Sequence, residues 1–103
     1  MKILVLGDVM GVSGRKAIKK NLSKIIDDNK IDFTIINGEN SADTGKGITK
    51  SIAEEFFLLG VDVITSGNHI WDQKETIDYI NKENRLLRPA NYPEGSPGKG
   101  YGV

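Results

Sequence analysis

The sequence reads as an α/β fold of order βαβαβα on a parallel sheet. Two observations predict it. Three short apolar runs, Lys2–Leu6, Asp32–Ile36 and Val61–Thr65, each lead into a polar, glycine-containing cluster. Between and after them lie segments whose apolar residues recur at helical spacing.

The first run is a short aliphatic strand closed by Gly7. Ser13 can cap a helix from about Gly14 to Asp28, with Ile18, Leu22, Ile25 and Ile26 on one face. Asp32–Ile36 is the second strand, and Asn37–Gly47 a polar loop. Thr49 can cap a second helix that carries Ile52, Phe56 and Leu59 inward and stops at Gly60. Val61–Thr65 is the third strand. Asp72 followed by Glu75 matches a capping box for a third helix, with Ile77 and Ile80 inward. The tail, 88–103, holds all three prolines and several glycines and reads as loop, after a short fourth strand at Leu86–Arg88. A parallel sheet needs both faces covered, and three strands with three helices give a thin core. The expectation is therefore the first part of a longer protein.

Composition excludes several classes. Lys+Arg 14 balances Asp+Glu 14, so no long-range field draws the chain to duplex nucleic acid or a membrane surface. There is no cysteine, hence no disulfide and no thiolate metal site, which fits a reducing cytoplasm. Ile3–Leu6 is far too short for a signal peptide or a membrane span. The expected setting is cytoplasmic. An incomplete sheet edge invites self-association into a homo-oligomer.

The chemistry lies at the strand ends. Gly7-Asp8, Asn37-Gly38-Glu39-Asn40 and Gly67-Asn68-His69 each follow a strand. Loops outside the carboxyl ends of parallel strands form the binding crevice, so Asp8, Glu39, Asn40, Asn68 and His69 should converge. Oxygen and nitrogen donors without a thiol suit Mn, Fe or Zn. Two such ions, roughly 3.5–4 Å apart, can clamp a phosphoryl group and generate hydroxide at neutral pH. Nucleotide fingerprints fit less well. Gly7 to Gly14 is spaced G-x-x-x-G-x-x-G, with Asp8 facing any pyrophosphate, and Gly45-Lys46-Gly47 lacks the hydroxyl residue of a P-loop.

Each residue also has a plainer reading. Asp8 could cap the following turn, Glu39-Asn40 could form an Asx-turn, and a lone loop His is often a hydrogen-bonded surface residue. Arg15, Lys16, Lys19, Lys20 and Lys24 fit a solvated helix face better than a nucleotide-attracting one. Trp71 fits packing under the third loop better than base stacking. Arg88 and Asn91 could position phosphate or satisfy the backbone of a proline-rich loop. Nothing assigns a role to Asp43, Thr44 or Lys46.

Taken together with Ile70-Trp71-Asp72 and Arg88-Pro89-Ala90-Asn91-Tyr92-Pro93, these motifs make the chain resemble a bacterial family. It is that of the calcineurin-like metallophosphoesterases known as 2′,3′-cyclic-nucleotide 2′-phosphodiesterases. The resemblance spans nearly the whole chain. Against the wider superfamily pattern, Met10 replaces a His, Glu39-Asn40 stands in the second motif and Ile70 follows His69. The resemblance implies the parallel-sheet portion of a calcineurin-like sandwich, with 1–103 the N-terminal portion of one metallophosphoesterase domain. It implies two divalent ions, Fe or Mn before Zn. Asp8 would bind one, Glu39 bridge both, and Asn40 and Asn68 bind the second. A metal-bridging hydroxide would attack phosphorus while His69, as general acid, protonates the leaving ribose oxygen, giving a 3′-nucleotide. The family is more than twice as long and draws several metal-binding histidines from its second half, whereas this sequence has His69 alone. The alternatives are a non-catalytic metal- or nucleotide-binding regulatory protein, or an inert fragment lacking those ligands.

Overall fold

Three short apolar runs, with burial alternating along each, form three parallel strands in the computed structural model, which describes residues 1–103. The order is β1 (Ile3–Leu6), α1 (Gly11–Asn29), β2 (Phe33–Asn37), α2 (Lys50–Leu58), β3 (Val63–Thr65) and α3 (Glu75–Ile80). The sheet order is β1-β2-β3, all parallel, with Val5 opposite Ile35 and Ile35 opposite Val63. No helix is long and apolar enough to cross a membrane.

Side chains alternate across a strand, so each run has two faces. Thr34, Ile36 and Ile64 point into one buried layer and are almost wholly inaccessible. Leu22 of α1, Ile52, Ala53 and Phe56 of α2, and Ile80 of α3 pack in that layer, joined by Ile48, Ile70 and Leu86. The opposite face is open at β1, where Ile3 is 53% and Val5 67% exposed. The helices thus cover one face of the sheet, and the thin core expected from the sequence is the result.

Several boundaries differ from the sequence expectation. α1 starts at Gly11, so Ser13 lies inside its first turn and caps nothing; Met10 is the N-cap and offers no side-chain bond. The early start follows from the preceding turn, which Val9 and Gly11 pin by donating to the carbonyls of Asn37 (3.1 Å) and Asn40 (2.9 Å). The helix ends at Lys30, which takes a left-handed conformation with φ of 53°. β2 reaches Asn37 because that residue pairs with Thr65. β3 starts two residues later than expected, since Val61 bonds back to Phe56 of α2 rather than to β2. Thr49 does cap α2, accepting from the Ile52 N–H at 3.3 Å.

The capping box at Asp72 and Glu75 does not form. α3 begins at Glu75, its N-cap is Lys74, and no side chain caps it. Asp72 lies too early and bonds His69 instead, while Glu75 accepts from the Lys50 N–H at 3.2 Å. Thr76 takes the buried place beside Ile80, donating its hydroxyl to the Ile48 carbonyl; Ile77 is only half-buried. The fourth strand at Leu86–Arg88 is reduced to isolated bridges, Ile64 with Leu86 and Leu87 with Lys99. The rest of 88–103 is turn and loop, as its prolines and glycines require.

Candidate active site

Three connections leave the carboxyl ends of β1, β2 and β3, and two side-chain contacts tie them together. Asp8 follows β1 with φ of 39°, a left-handed value that costs a non-glycine residue energy. Its Oδ1 accepts from Asn40 Nδ2 at 2.9 Å. Glu39 lies one residue earlier in the loop after β2. Its Oε2 accepts from the His69 backbone N–H at 3.4 Å, in the loop after β3. Asp8 therefore meets Asn40, Glu39 meets His69, and the peptide bond between Glu39 and Asn40 links the pairs. Asn68 lies beside His69 and is exposed, with no side-chain bond to the other four. An open hollow of about 460 Å³ runs beside Asp8, bounded by Leu6, Val9, Met10, Ser13 and Ile18.

Gly67 shows how tightly the second and third loops meet. A Cβ there would lie 2.3 Å from both Glu39 carboxylate oxygens, so only glycine lets the carboxylate occupy that position. The loop after β2 is itself closed by Ala42 N–H to Gly47 O (2.9 Å) and held to α1 by Arg15, which bonds Ser41 O (2.6 Å) and Asp43 (2.7 Å). Arg15 therefore serves this loop rather than a solvated helix face alone.

His69 is the hub of the third loop. Its Nδ1 lies 3.0 Å from Asp72 Oδ2, a contact absent from the sequence reading. The signal was present as a spacing of three residues, but the same spacing from Asp72 to Glu75 suggested a helix cap. Trp71 packs against the core and faces Tyr92, ring centroids 6.2 Å apart, and the Tyr92 hydroxyl lies 3.5 Å from the Gly67 carbonyl. The segment after Pro89 thus backs the third loop. Arg88 bonds its neighbour's carbonyl at Pro89 and buries Nε without a partner, while Asn91 is exposed. No three His, Cys, Asp or Glu side chains gather as a ready cage for an ion. The carboxylates in the two cross-loop contacts are Asp8 and Glu39, and the amides at the strand ends are Asn40 and the exposed Asn68.

Residues 4–103 match the family described as YmdB-like protein. The chain belongs to that family. It is 51% identical over 100 residues to the 2′,3′-cyclic-nucleotide 2′-phosphodiesterase of Bacillus subtilis, covering 97% of this chain and 38% of that protein. The structure of a hypothetical protein from Thermus thermophilus superposes with a TM-score of 0.90 at 40% identity, covering 99% of this chain and 39% of the other. A novel phosphatase from Mycoplasma pneumoniae gives 0.88 at 36%, covering 97% and 37%. The chain spans about two fifths of the length of these YmdB-like and structural relatives. At such identities the parallel α/β arrangement corresponds to part of the phosphatase fold, in keeping with the calcineurin-like portion expected from the motifs.

Proposed function

We propose that this chain carries part of the active site of a metal-dependent phosphodiesterase that opens 2′,3′-cyclic nucleotides to 3′-nucleotides. The observation that carries the reading is the linked pair of contacts, Asp8 to Asn40 and Glu39 to His69, across three strand ends. The named activity of the Bacillus relative supports the substrate class.

The donor chemistry fits a hard divalent cation. Asn40 points its amide nitrogen at Asp8 Oδ1, which leaves its own Oδ1 and the other Asp8 oxygen available. With Glu39 and the Asn68 amide, that makes an all-oxygen set suited to Mn, with Fe the other ion that the family resemblance implies. Asp8 would serve one ion, Asn40 and Asn68 the other, and Glu39 both, each shell being only partly supplied by this chain. When bound, such ions supply Lewis acidity at the phosphoryl group and make water acidic enough to act as a nucleophile at neutral pH.

The chain's own groups do the remainder. Glu39 is fixed in place by the gap at Gly67 and the His69 N–H. His69 is half-buried and holds a proton at ring nitrogen for the departing 2′ oxygen, an alkoxide that leaves poorly without one.

The test is Mn²⁺-dependent hydrolysis of 2′,3′-cyclic AMP by the protein and by its Glu39→Ala variant. Losing a neighbour of a metal ligand costs roughly 10–100-fold, so losing a ligand should cost at least about 100-fold. Unchanged metal-dependent turnover in the variant would overturn the reading. Binding of Mn²⁺ and nucleotide without turnover would replace the enzyme with a binding protein.

A further inference from the structure

We propose that Asp72 is a positioning residue for His69: its carboxylate accepts the hydrogen bond from Nδ1–H, fixes the tautomer of the ring and leaves Nε2 as the nitrogen that meets substrate. The last clause rests on the phosphodiesterase reading; the first two rest on geometry alone.

A carboxylate only accepts hydrogen bonds, so at 3.0 Å the ring nitrogen facing Asp72 Oδ2 is the donor. In the neutral ring the proton is then on Nδ1, whereas an unrestrained imidazole in water favours Nε2. Nε2 makes no bond to the protein, so one nitrogen is committed and the other is free. Asp72 has no competing duty. It caps no helix, because α3 starts three residues later without a side-chain cap.

The pair is held from several sides. The turn closes on itself through Ile70 N–H to Gly67 O (3.1 Å) and Asp72 N–H to His69 O (3.0 Å). Ile70, wholly buried, anchors it in the core. The second loop walls Asp72: a Cβ at Gly47 would lie 3.3 Å from Asp72 Cβ, and Gln73 Nε2 donates to Lys46 O at 3.2 Å. The His69 backbone N–H is fixed by Glu39 at 3.4 Å. Ring and backbone of His69 are thus each tied to a different carboxylate, and the side chain has little freedom to turn. A ring nitrogen oriented in this way by a carboxylate on its other side is a recurring means of setting imidazole direction.

In the reaction the bond from phosphorus to the 2′ oxygen breaks and its electron pair stays on that oxygen. The oxygen takes a proton from Nε2 of the doubly protonated ring, water supplies the new oxygen on phosphorus, and water's spare proton passes to solvent, from which Nε2 is later reloaded. Nδ1 keeps its own proton, hydrogen-bonded to Asp72, throughout, so the ring ends neutral in the tautomer that Asp72 selects.

The sequence contains one histidine, so ¹⁵N-histidine labelling gives a single imidazole in the 103-residue chain. Long-range ¹H–¹⁵N spectra of the neutral ring report which nitrogen is protonated. The expected parent signal is Nδ1–H. Asp72→Ala should return the ring to a mixture dominated by Nε2–H. Asp72→Asn, nearly isosteric, can donate its amide to Nδ1 and should drive the ring almost wholly to Nε2–H. Dispersed backbone spectra verify folding in each variant. Nε2–H in the parent, or Nδ1–H retained in both variants, would overturn the proposal. Hydrolysis of 2′,3′-cyclic AMP by the whole protein whose site this chain helps to form, carrying the same substitutions, separates the two readings. A roughly 10-fold fall in kcat with KM little changed is expected for Asp72→Ala. A tautomer fixed by Asp72 in a protein that never hydrolyses the nucleotide would sink the phosphodiesterase reading alone. Intact hydrolysis with the tautomer unmoved would sink the Asp72 role alone.

Discussion

At the start of the strands, Asp32 accepts from the Lys2 N–H and Asp62 from the Thr34 N–H, each at 2.7 Å. At the far end of the same sheet, Asp8 accepts from an amide side chain at 2.9 Å and Glu39 from a distant N–H at 3.4 Å. The difference lies in the partners. The two carboxylates at the beginning accept from backbone N–H groups at the strand starts. The two at the end are held by groups on the connecting loops, and each keeps one oxygen without a bond to the protein. The same residue type is therefore structural at one edge and open to a ligand at the other.

The strongest way to break this contrast is Gly67→Ala. The added methyl group would displace the Glu39 carboxylate, and a misplacement of about 1 Å costs roughly 100-fold in rate. Metal-dependent hydrolysis should fall by about that factor while the thermal midpoint moves little. A full loss of folding, or no loss of rate, would deny Glu39 its place.

Asp62→Ala tests the opposite end. Thr34 is almost fully buried, so its N–H would lose its partner away from water. That costs about 1–3 kcal/mol, readable as a lower urea midpoint, with Mn²⁺ binding unchanged. Weakened Mn²⁺ binding at unchanged stability would erase the distinction between the two ends.

Tyr79 belongs to neither end and serves as the control. Its hydroxyl is buried without a partner, and burial, aided by the nearby Glu83 and Glu54, pushes its pKa from 10.0 to about 12. The folded value is raised, so this contribution is complete below pH 10 and is lost as pH climbs through 12. Tyr79→Phe should remove that alkaline loss and change stability at neutral pH by no more than about 1 kcal/mol. Stability against pH, followed by circular dichroism, reads both; an unchanged alkaline limb would refute the assignment.

The order of elements was legible because aliphatic runs and helical spacing are local signals, and Thr49 was legible because a cap acts within one turn. The edges of strands were not, because Asn37 enters β2 only through its pairing with Thr65, and Val61 leaves β3 only through its bond to Phe56. At the site, strand-end placement brought Asp8, Glu39, Asn40 and His69 into view as neighbours. The contacts among them were hidden, since Gly67 matters only through what Glu39 does 28 positions away. Asp72 was misread because a helix cap and a clamp on an imidazole share one spacing, and only the position of α3 separates them.

The left-handed backbone at Asp8 sets fold against chemistry. With φ at 39°, a glycine there would relieve about 1–2 kcal/mol of steric conflict, so the carboxylate stands where the chain would be sturdier without it. A thermostability screen blind to turnover would discard this aspartate early, and on the proposed phosphodiesterase reading that gain in melting temperature would come with a loss of metal binding.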